Sequence, residues 1–148
     1  MGLTETAALV GVVTGTAGLL LGILNHIRDR AKIIVTLQWD MGIANDPKYD
    51  PDKSYGVVRA TNVGRRPVYM SHTSLKLPKG YGDSYLLLGQ GIYGTRLGEG
   101  DPPVSYVVDQ EGMKKYKRDW HKVRAVVIDS AGTAYYSSKL RDMPSWAK

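Results

Sequence analysis

Several residue types are absent or scarce in this chain of 148 residues, and each absence excludes a class of function. No cysteine occurs, which excludes disulfides, thiolate catalysis and cysteine-ligated zinc or iron–sulfur sites. The three histidines, His26, His72 and His121, are widely scattered, and no HExxH, G-x-S-x-G or Walker pattern accompanies them. The sequence therefore predicts a protein that is not an enzyme and that has no catalytic residue, bound cofactor or metal ligand.

Charge is absent from residues 6–27, TAALVGVVTGTAGLLLGILNHI. At about 1.5 Å per residue, a helix over this segment is roughly 30 Å long, which matches the hydrocarbon core of a bilayer. A secretory signal peptide is the alternative, but no basic residue precedes the run and Arg28 and Arg30 follow it at once. The predicted organisation is an extracytoplasmic segment at 1–5, a transmembrane helix at 6–27, a β domain at 28–142 and an irregular tail at 143–148.

Small residues recur along one face of this predicted helix. Their spacings alternate between four and three, which stacks them on one side of the helix. Small residues let helices approach closely in a membrane, where no hydrophobic effect drives them together. The pattern predicts a homo-oligomer with a left-handed supercoil, in which the helices meet along this face. The face consists of Thr4, Ala8, Gly11, Gly15, Gly18, Gly22 and Asn25.

Basic residues flank only one side of the predicted helix. Residues 1–5 contain Glu5 and no Lys or Arg, whereas Arg28, Arg30 and Lys32 follow the helix. The positive-inside rule then predicts a single-pass protein of the cell inner membrane, with its N-terminus outside and its β domain in the cytoplasm. The formal net charge of +6 favours anionic partners, above all phospholipid head groups.

The rest of the chain shows short strand patterns separated by turn signals. In residues 32–39 apolar side chains alternate with polar ones, which is typical of a half-buried strand. Seven or eight such strands and no long helix predict an antiparallel sandwich or barrel. The other predicted strands are 55–63, 68–77, a buried strand at 84–88, 104–109, and a final hairpin around 129–132 with Gly132 at positive φ.

Two segments, ATNVGRRPVYM at 60–70 and VVIDSAGTAYY at 126–136, follow the apolar helix. In this combination the chain resembles a loose group of small uncharacterised bacterial membrane proteins with an N-x-G-R-x-P-V turn. The resemblance implies one membrane span followed by an immunoglobulin-like β-sandwich, and it transfers no activity. Within the turn we expect Asn62 to cap with its side chain, Gly64 to take positive φ and Pro67 to direct the next strand.

Two further motifs are weak. Gly89, Gly91 and Gly94 match G-x-G-x-x-G, but the TRLGEGDPP that follows does not start a helix, so a bend between strands is favoured over a dinucleotide site. The loop NDPKYDPDKS has three aspartates, yet it lacks the glycine and the closing glutamate of a calcium-binding EF-hand loop.

A basic segment at 110–124 mixes cations with Tyr116, Trp120 and His121. Three interpretations remain open: a solvated loop, contact with anionic lipid together with Arg28, Arg30 and Lys32, or binding of a nucleotide or nucleic acid. The cations predicted to make such contacts are Lys114, Lys115, Lys117, Arg118 and Lys122, with Arg124 close by.

These features favour a self-associating membrane protein whose cytoplasmic sandwich is a sensor or interaction domain with a nucleotide or protein ligand. One form of this hypothesis is a pore-forming or membrane-disrupting effector of a bacterial defence or toxin system. The alternatives are a pilin-like filament subunit with an external β domain and a passive membrane-anchored binding module.

Overall fold

In the computed structural model, which describes residues 2–91 and 94–148, one long helix precedes two antiparallel sheets. This confirms the predicted fold class of an N-terminal apolar helix followed by a β-sandwich. The elements are α1 (Leu3–Arg28), β1 (Ile33–Gly42), β2 (Ser54–Asn62), β3 (Val68–Lys76), β4 (Tyr85–Leu87), β5 (Thr95–Leu97), β6 (Val104–Asp109), β7 (Arg124–Asp129) and β8 (Ala134–Tyr136). Short 3₁₀ segments occupy Gly89–Gly91, Glu111–Lys122 and Ser145–Ala147.

The core lies between the two sheets. One sheet has the order β1-β2-β6, and the other has the order β4-β3-β7-β8 with β5 also paired to β3. The predicted alternation in the first strand is present, because Ile33 and Val35 are buried while Ile34 and Thr36 are exposed. Apolar side chains from both sheets meet in one cluster, which includes Val35, Val58, Ala60, Met70, Leu75, Tyr106, Val108, Ala125 and Val127.

The strand register places the loops at two opposite ends of the sandwich. Asn62 is paired with Ile33, and Ala60 with Val104, so these residues lie near α1. Tyr55 is paired with Asp109 at the other extreme of the same sheet. We call the end formed by 29–32, 63–67, 98–103 and 130–133 the helix-proximal end. The end formed by 43–53, 77–84, 110–123 and 137–148 is the helix-distal end.

The turn after β2 has the predicted Asn62 cap, but the reason for glycine at position 64 differs from the prediction. Asn62 Oδ1 accepts a hydrogen bond from the Gly64 N–H at 2.9 Å, and its Nδ2 donates to the carbonyls of Arg66 and Leu97. Gly64 does not have positive φ, so that expectation is wrong. A Cβ there would lie 2.3 Å from the Arg30 carbonyl oxygen, so the glycine is required by close approach of the backbone.

Two other expectations need correction, and one strand was not predicted. The strand predicted to be buried at 84–88 is exposed over β4, since Leu87 has 57% of its surface accessible, and only Leu88 behind it is buried. The tail predicted to be irregular forms a 3₁₀ turn whose Trp146 is buried in the core. Finally, β5 was not predicted, because three residues are too few to show a strand pattern.

The glycine motif and the last hairpin behave as expected. Gly89 and Gly91 lie in a 3₁₀ turn, and β5 follows instead of a helix, which favours the predicted bend. Two positions within that motif, 92 and 93, lie outside the described residues. Gly132 has a φ of 84°, as predicted for the turn between β7 and β8.

Candidate functional site

The apolar helix α1 has no side chain buried against the rest of the protein. It contains 26 residues, and its most apolar window has a mean hydropathy of 2.1. A helix of this length measures about 39 Å, enough to cross a bilayer. Its large apolar side chains, Leu9, Val10, Val12, Val13, Leu19, Leu20, Leu21, Ile23, Leu24 and Ile27, are all exposed. By length and composition α1 therefore suits a membrane span, and it makes no intrachain core.

Polar groups inside α1 are satisfied locally. The Thr14 hydroxyl donates to the Val10 carbonyl at 2.8 Å, and the Thr16 hydroxyl donates to the Val12 carbonyl at the same distance. Such bonds remove the cost of placing a hydroxyl in hydrocarbon, where no water is available. The two threonines are thus compatible with an apolar environment.

The small-residue face of α1 is open along its length. A Cβ placed on Gly11, Gly15, Gly18 or Gly22 meets nothing within 4 Å beyond the adjoining helix backbone. The other members of this face, Thr4, Ala8 and Asn25, are exposed as well. The glycines therefore serve no packing inside the chain, and any contact they make is with something outside it.

The end of α1 is fixed to the sandwich by the backbone. The Val63 N–H donates to the Lys32 carbonyl at 2.8 Å, directly after the helix. Beside this bond, Gly64 packs against Arg30 and Lys32 so closely that a Cβ would be 2.5 Å from the Lys32 nitrogen. These backbone contacts hold residues 30–32, between α1 and β1, against the turn after β2.

Tertiary structure adds two arginines to the base of α1. The turn after β2 places Arg65 and Arg66 beside His26, Asp29 and Arg30, around a depression of about 390 Å³. Sequence analysis did not assign these two arginines to a site, although their charge doublet was visible within the turn. We call Arg28, Arg30, Arg65 and Arg66 the arginine collar.

The charges of the collar are only partly balanced. Arg65 lies 4.0 Å from Asp29 and 3.7 Å from Glu99, and all three side chains are largely exposed, so these pairs are weak. Among the described residues, Arg28, Arg30 and Arg66 make no ion pair within 4.0 Å. The collar therefore keeps a positive excess next to the apolar helix.

The structure does not bring the two predicted groups of lipid-contacting cations together. Arg28, Arg30 and Lys32 lie at the helix-proximal end. The segment Glu111–Lys122 lies at the helix-distal end, held there by its buried Met113 and Tyr116. This segment carries Lys114, Lys115, Lys117, Arg118 and Lys122. Of the interleaved aromatic residues, Tyr116 is 2% exposed and belongs to the core, whereas Trp120 is half-buried and His121 is exposed.

A polar cluster at the helix-distal end fastens the tail. Asp40, which has a φ of 61°, accepts hydrogen bonds from the Ser145 N–H at 2.9 Å and from Gln110 Nε2 at 3.0 Å. Partial burial raises the pKa of Asp40, but the bonds from Ser145 and Gln110 outweigh this effect and hold its pKa below the ordinary value. Next to it, the rings of Trp39 and Trp146 meet edge to face at 5.4 Å. These contacts around the Asp40 carboxylate hold the C-terminal tail against β1.

The histidines and carboxylates that the structure describes do not converge on a metal site. Within residues 2–91 and 94–148, no group of three or more His, Cys, Asp or Glu side chains is placed to hold a metal ion. His72 Nδ1 lies 3.4 Å from the hydroxyl of its neighbour Ser71, an exposed contact between adjacent residues. The sequence matches no model of a known protein family and no curated protein at significant similarity.

Proposed function

We propose that this chain is a single-span membrane protein that self-associates through the small-residue face of α1. In this proposal its sandwich is a cytoplasmic sensor or interaction domain. The observation that carries the proposal is the combination of an apolar helix without an intrachain partner and a row of four glycines that face open space.

The membrane location is supported by the unfavourable free energy of exposing α1 to water. In water, α1 would expose large apolar side chains along more than six turns, far beyond the apolar patch of an ordinary soluble monomer. Burial of this apolar surface in a bilayer is favourable by a free energy of roughly 25 cal/mol per Å². Lipid contact thus explains the bulky side of the helix.

Self-association explains the other side. Bulky side chains suit lipid, whereas a strip of Gly11, Gly15, Gly18 and Gly22 gives lipid little to pack against and gives a neighbouring backbone a close approach. Van der Waals packing between two such strips is the main attraction available between helices inside hydrocarbon.

The arginine collar supports an inward-facing sandwich. The positive-inside rule counts Arg28, Arg30 and Lys32, which directly follow the span. The fold adds Arg65 and Arg66 beside Arg30 in space. The cytoplasmic leaflet of an inner membrane is anionic, and each nearby Lys or Arg contributes about 1 kcal/mol of attraction to it. A pore-forming or membrane-disrupting effector is the more specific form of this proposal. It is supported by the close contact of Gly64 with Arg30 and Lys32, which joins the sandwich to the segment after the helix.

The test is the number of subunits of the full-length protein in nanodiscs or mild detergent. The double variant Gly15→Leu, Gly18→Leu fills the glycine strip, and we expect it to weaken association about tenfold or more. Ala17→Leu, which adds the same side chain outside the strip, is the matched control and is expected to associate normally. An unchanged oligomer in the double variant, or equal loss in the control, contradicts the proposal.

A passive membrane-anchored binding module is the second candidate, favoured by β4. This edge strand exposes Tyr85, Leu86 and Leu87, and exposed apolar edge strands pair readily with other chains. If the chain is such a module, the number of subunits measured in nanodiscs or mild detergent should be one. Protease treatment of intact cells separates both candidates from a pilin-like subunit, whose external sandwich would be cleaved.

A further inference from the structure

A strongly cationic pocket lies at the helix-distal end, away from the arginine collar. It encloses about 400 Å³ and is lined by Lys76, His121, Lys122, Arg124, Lys139 and Leu140. The residues come from the end of β3, the end of the segment Glu111–Lys122, the start of β7 and the chain after β8. Five of the six carry a basic side chain, and none carries a carboxylate.

Strand pairing puts two of these cations opposite each other. Lys76 and Arg124 are direct partners in the antiparallel pair of β3 and β7. Like charges at such positions repel and destabilise a sheet. Both side chains share one aromatic ring, with Lys76 Nζ 5.5 Å and Arg124 Cζ 5.2 Å from the centre of Tyr136. The ring offsets part of the repulsion by cation–π attraction, but it supplies no negative charge.

The guanidinium of Arg124 is held in place. Its Nε donates to the Ser137 carbonyl at 2.8 Å, and Nη2 donates to the same oxygen. A guanidinium has five N–H donors, so donors remain for a ligand. Among the described residues, Lys76, Arg124 and Lys139 make no ion pair within 4.0 Å, while Lys122 is paired with Asp119 at 2.6 Å.

We propose that this pocket binds a soluble small molecule with two or more phosphate groups, such as a nucleoside polyphosphate. The volume is in the range of small-ligand pockets. A fixed guanidinium flanked by exposed ammonium groups, here those of Lys76 and Lys139, is a common arrangement for phosphate oxygens. If α1 crosses a membrane as proposed above, the lipid head groups lie at the opposite end of the sandwich. The site does not depend on self-association of α1.

The test measures binding of pyrophosphate and of ATP to the full-length protein in nanodiscs of zwitterionic lipid, by titration calorimetry. We expect saturable binding of both probes at one site. The double variant Lys76→Gln, Lys139→Gln removes two charges from exposed side chains and is expected to weaken binding about tenfold or more. Arg124 is left unchanged because its bonds to Ser137 also hold β7 to the chain after β8.

The matched control is Lys114→Gln, Lys115→Gln, which removes the same charge from the same end of the sandwich but outside the pocket. Its affinity is expected to stay within about twofold, because the effect of distant exposed charges is screened by salt. Equal weakening in both double variants, or no binding of either probe, would overturn the proposal.

Two further measurements distinguish other sources of phosphate. A labelled single-stranded oligonucleotide that binds more tightly than ATP, and that depends on Lys114 and Lys115, would assign the basic surface to nucleic acid and overturn the proposal. Competition by nanodiscs of anionic lipid would do the same in favour of a membrane surface. Unchanged ATP binding in both tests supports a soluble ligand.

Discussion

Glycine has opposite surroundings in the helix and in the sandwich. At Gly15 and Gly18 of α1, a Cβ would meet open space, whereas at Gly56 it would lie 2.3 Å from the ring of Trp39. At Gly64 it would overlap the backbone of the helix junction. Gly56 and Gly64 of the sandwich are therefore required by contacts inside the chain, whereas Gly15 and Gly18 of α1 are not.

Apolar side chains show the same contrast. Val58, Ala60 and Leu75 in the sandwich are completely buried, while every side chain of α1 is exposed. The contrast teaches that the core lies in the sandwich and that α1 contributes no side chain to it.

If backbone contacts require glycine at position 64, Gly64→Ala should reduce the stability of the sandwich more than any other substitution proposed here. The added methyl overlaps backbone atoms of Arg30 and Lys32, and relief requires the junction to open. We expect a loss of about 3 kcal/mol in the free energy of unfolding of the sandwich. Denaturant titration followed by tryptophan fluorescence measures it.

The control is Gly112→Ala, where a Cβ meets nothing within 4 Å. We expect its stability to change by less than about 1 kcal/mol. Equal stability of the two variants would show that the junction is loose.

Asp129→Ala, at the helix-proximal end, is expected to reduce the free energy of unfolding by less than Gly64→Ala does. Its carboxylate accepts hydrogen bonds from the N–H groups of Ala131 and Thr133 at 2.9 and 2.8 Å and from the Tyr135 hydroxyl at 3.0 Å. Removing it leaves three donors without their acceptor, at an expected cost of about 2 kcal/mol. The midpoint of thermal unfolding should fall accordingly, and Asp83→Ala, in an exposed loop, is the control.

Acid should weaken the sandwich through the same carboxylate. Burial raises the pKa of Asp129, but the bonds from Thr133, Tyr135 and Ala131 outweigh it and lower its pKa below the ordinary 3.8. Asp40 is lowered in the same way. Because the folded pKa is depressed, this stability is fully present above the unfolded pKa and is lost as the pH falls through the folded pKa. Unfolding measured between neutral pH and about pH 2 should therefore show a loss below about pH 4 that Asp129→Asn reduces.

The arginine collar offers a comparison of the two ends of the sandwich. We expect Arg65→Gln with Arg66→Gln to reduce retention of anionic lipid by the purified protein, since each charge contributes about 1 kcal/mol near the surface. Native mass spectrometry counts the retained lipids. The equally charged variant Lys114→Gln, Lys115→Gln, at the helix-distal end, should retain lipid as the unmodified protein does, and the reverse ranking would place the membrane at that end.

The smallest effect is expected from Gly18→Leu on the sandwich itself. Since Gly18 contacts no other element, the free energy of unfolding of the sandwich should change by less than about 0.5 kcal/mol. A larger change would mean that α1 folds back onto the sandwich and would break the contrast between the two regions.

Periodicity carried the sequence predictions that the structure confirms. The uncharged run at 6–27 and the alternation after Lys32 depend on spacing along one segment, so the helix and most strands could be predicted without tertiary information. The Asn62 cap was also predictable, because the Gly64 N–H that donates to Asn62 Oδ1 is only two residues away in the sequence.

Only the tertiary structure decided how distant segments meet. The reason that Gly64 must be glycine, the position of Arg65 and Arg66 beside α1, and the pairing of Lys76 with Arg124 all depend on which strands are neighbours. Burial of Trp146 likewise requires Asp40 and Gln110 to hold the tail. The sequence by itself determined an apolar helix followed by short strands, because such patterns are local. The folded chain alone placed the cations at opposite ends of the sandwich, because charges on separate strands are brought together only by sheet pairing.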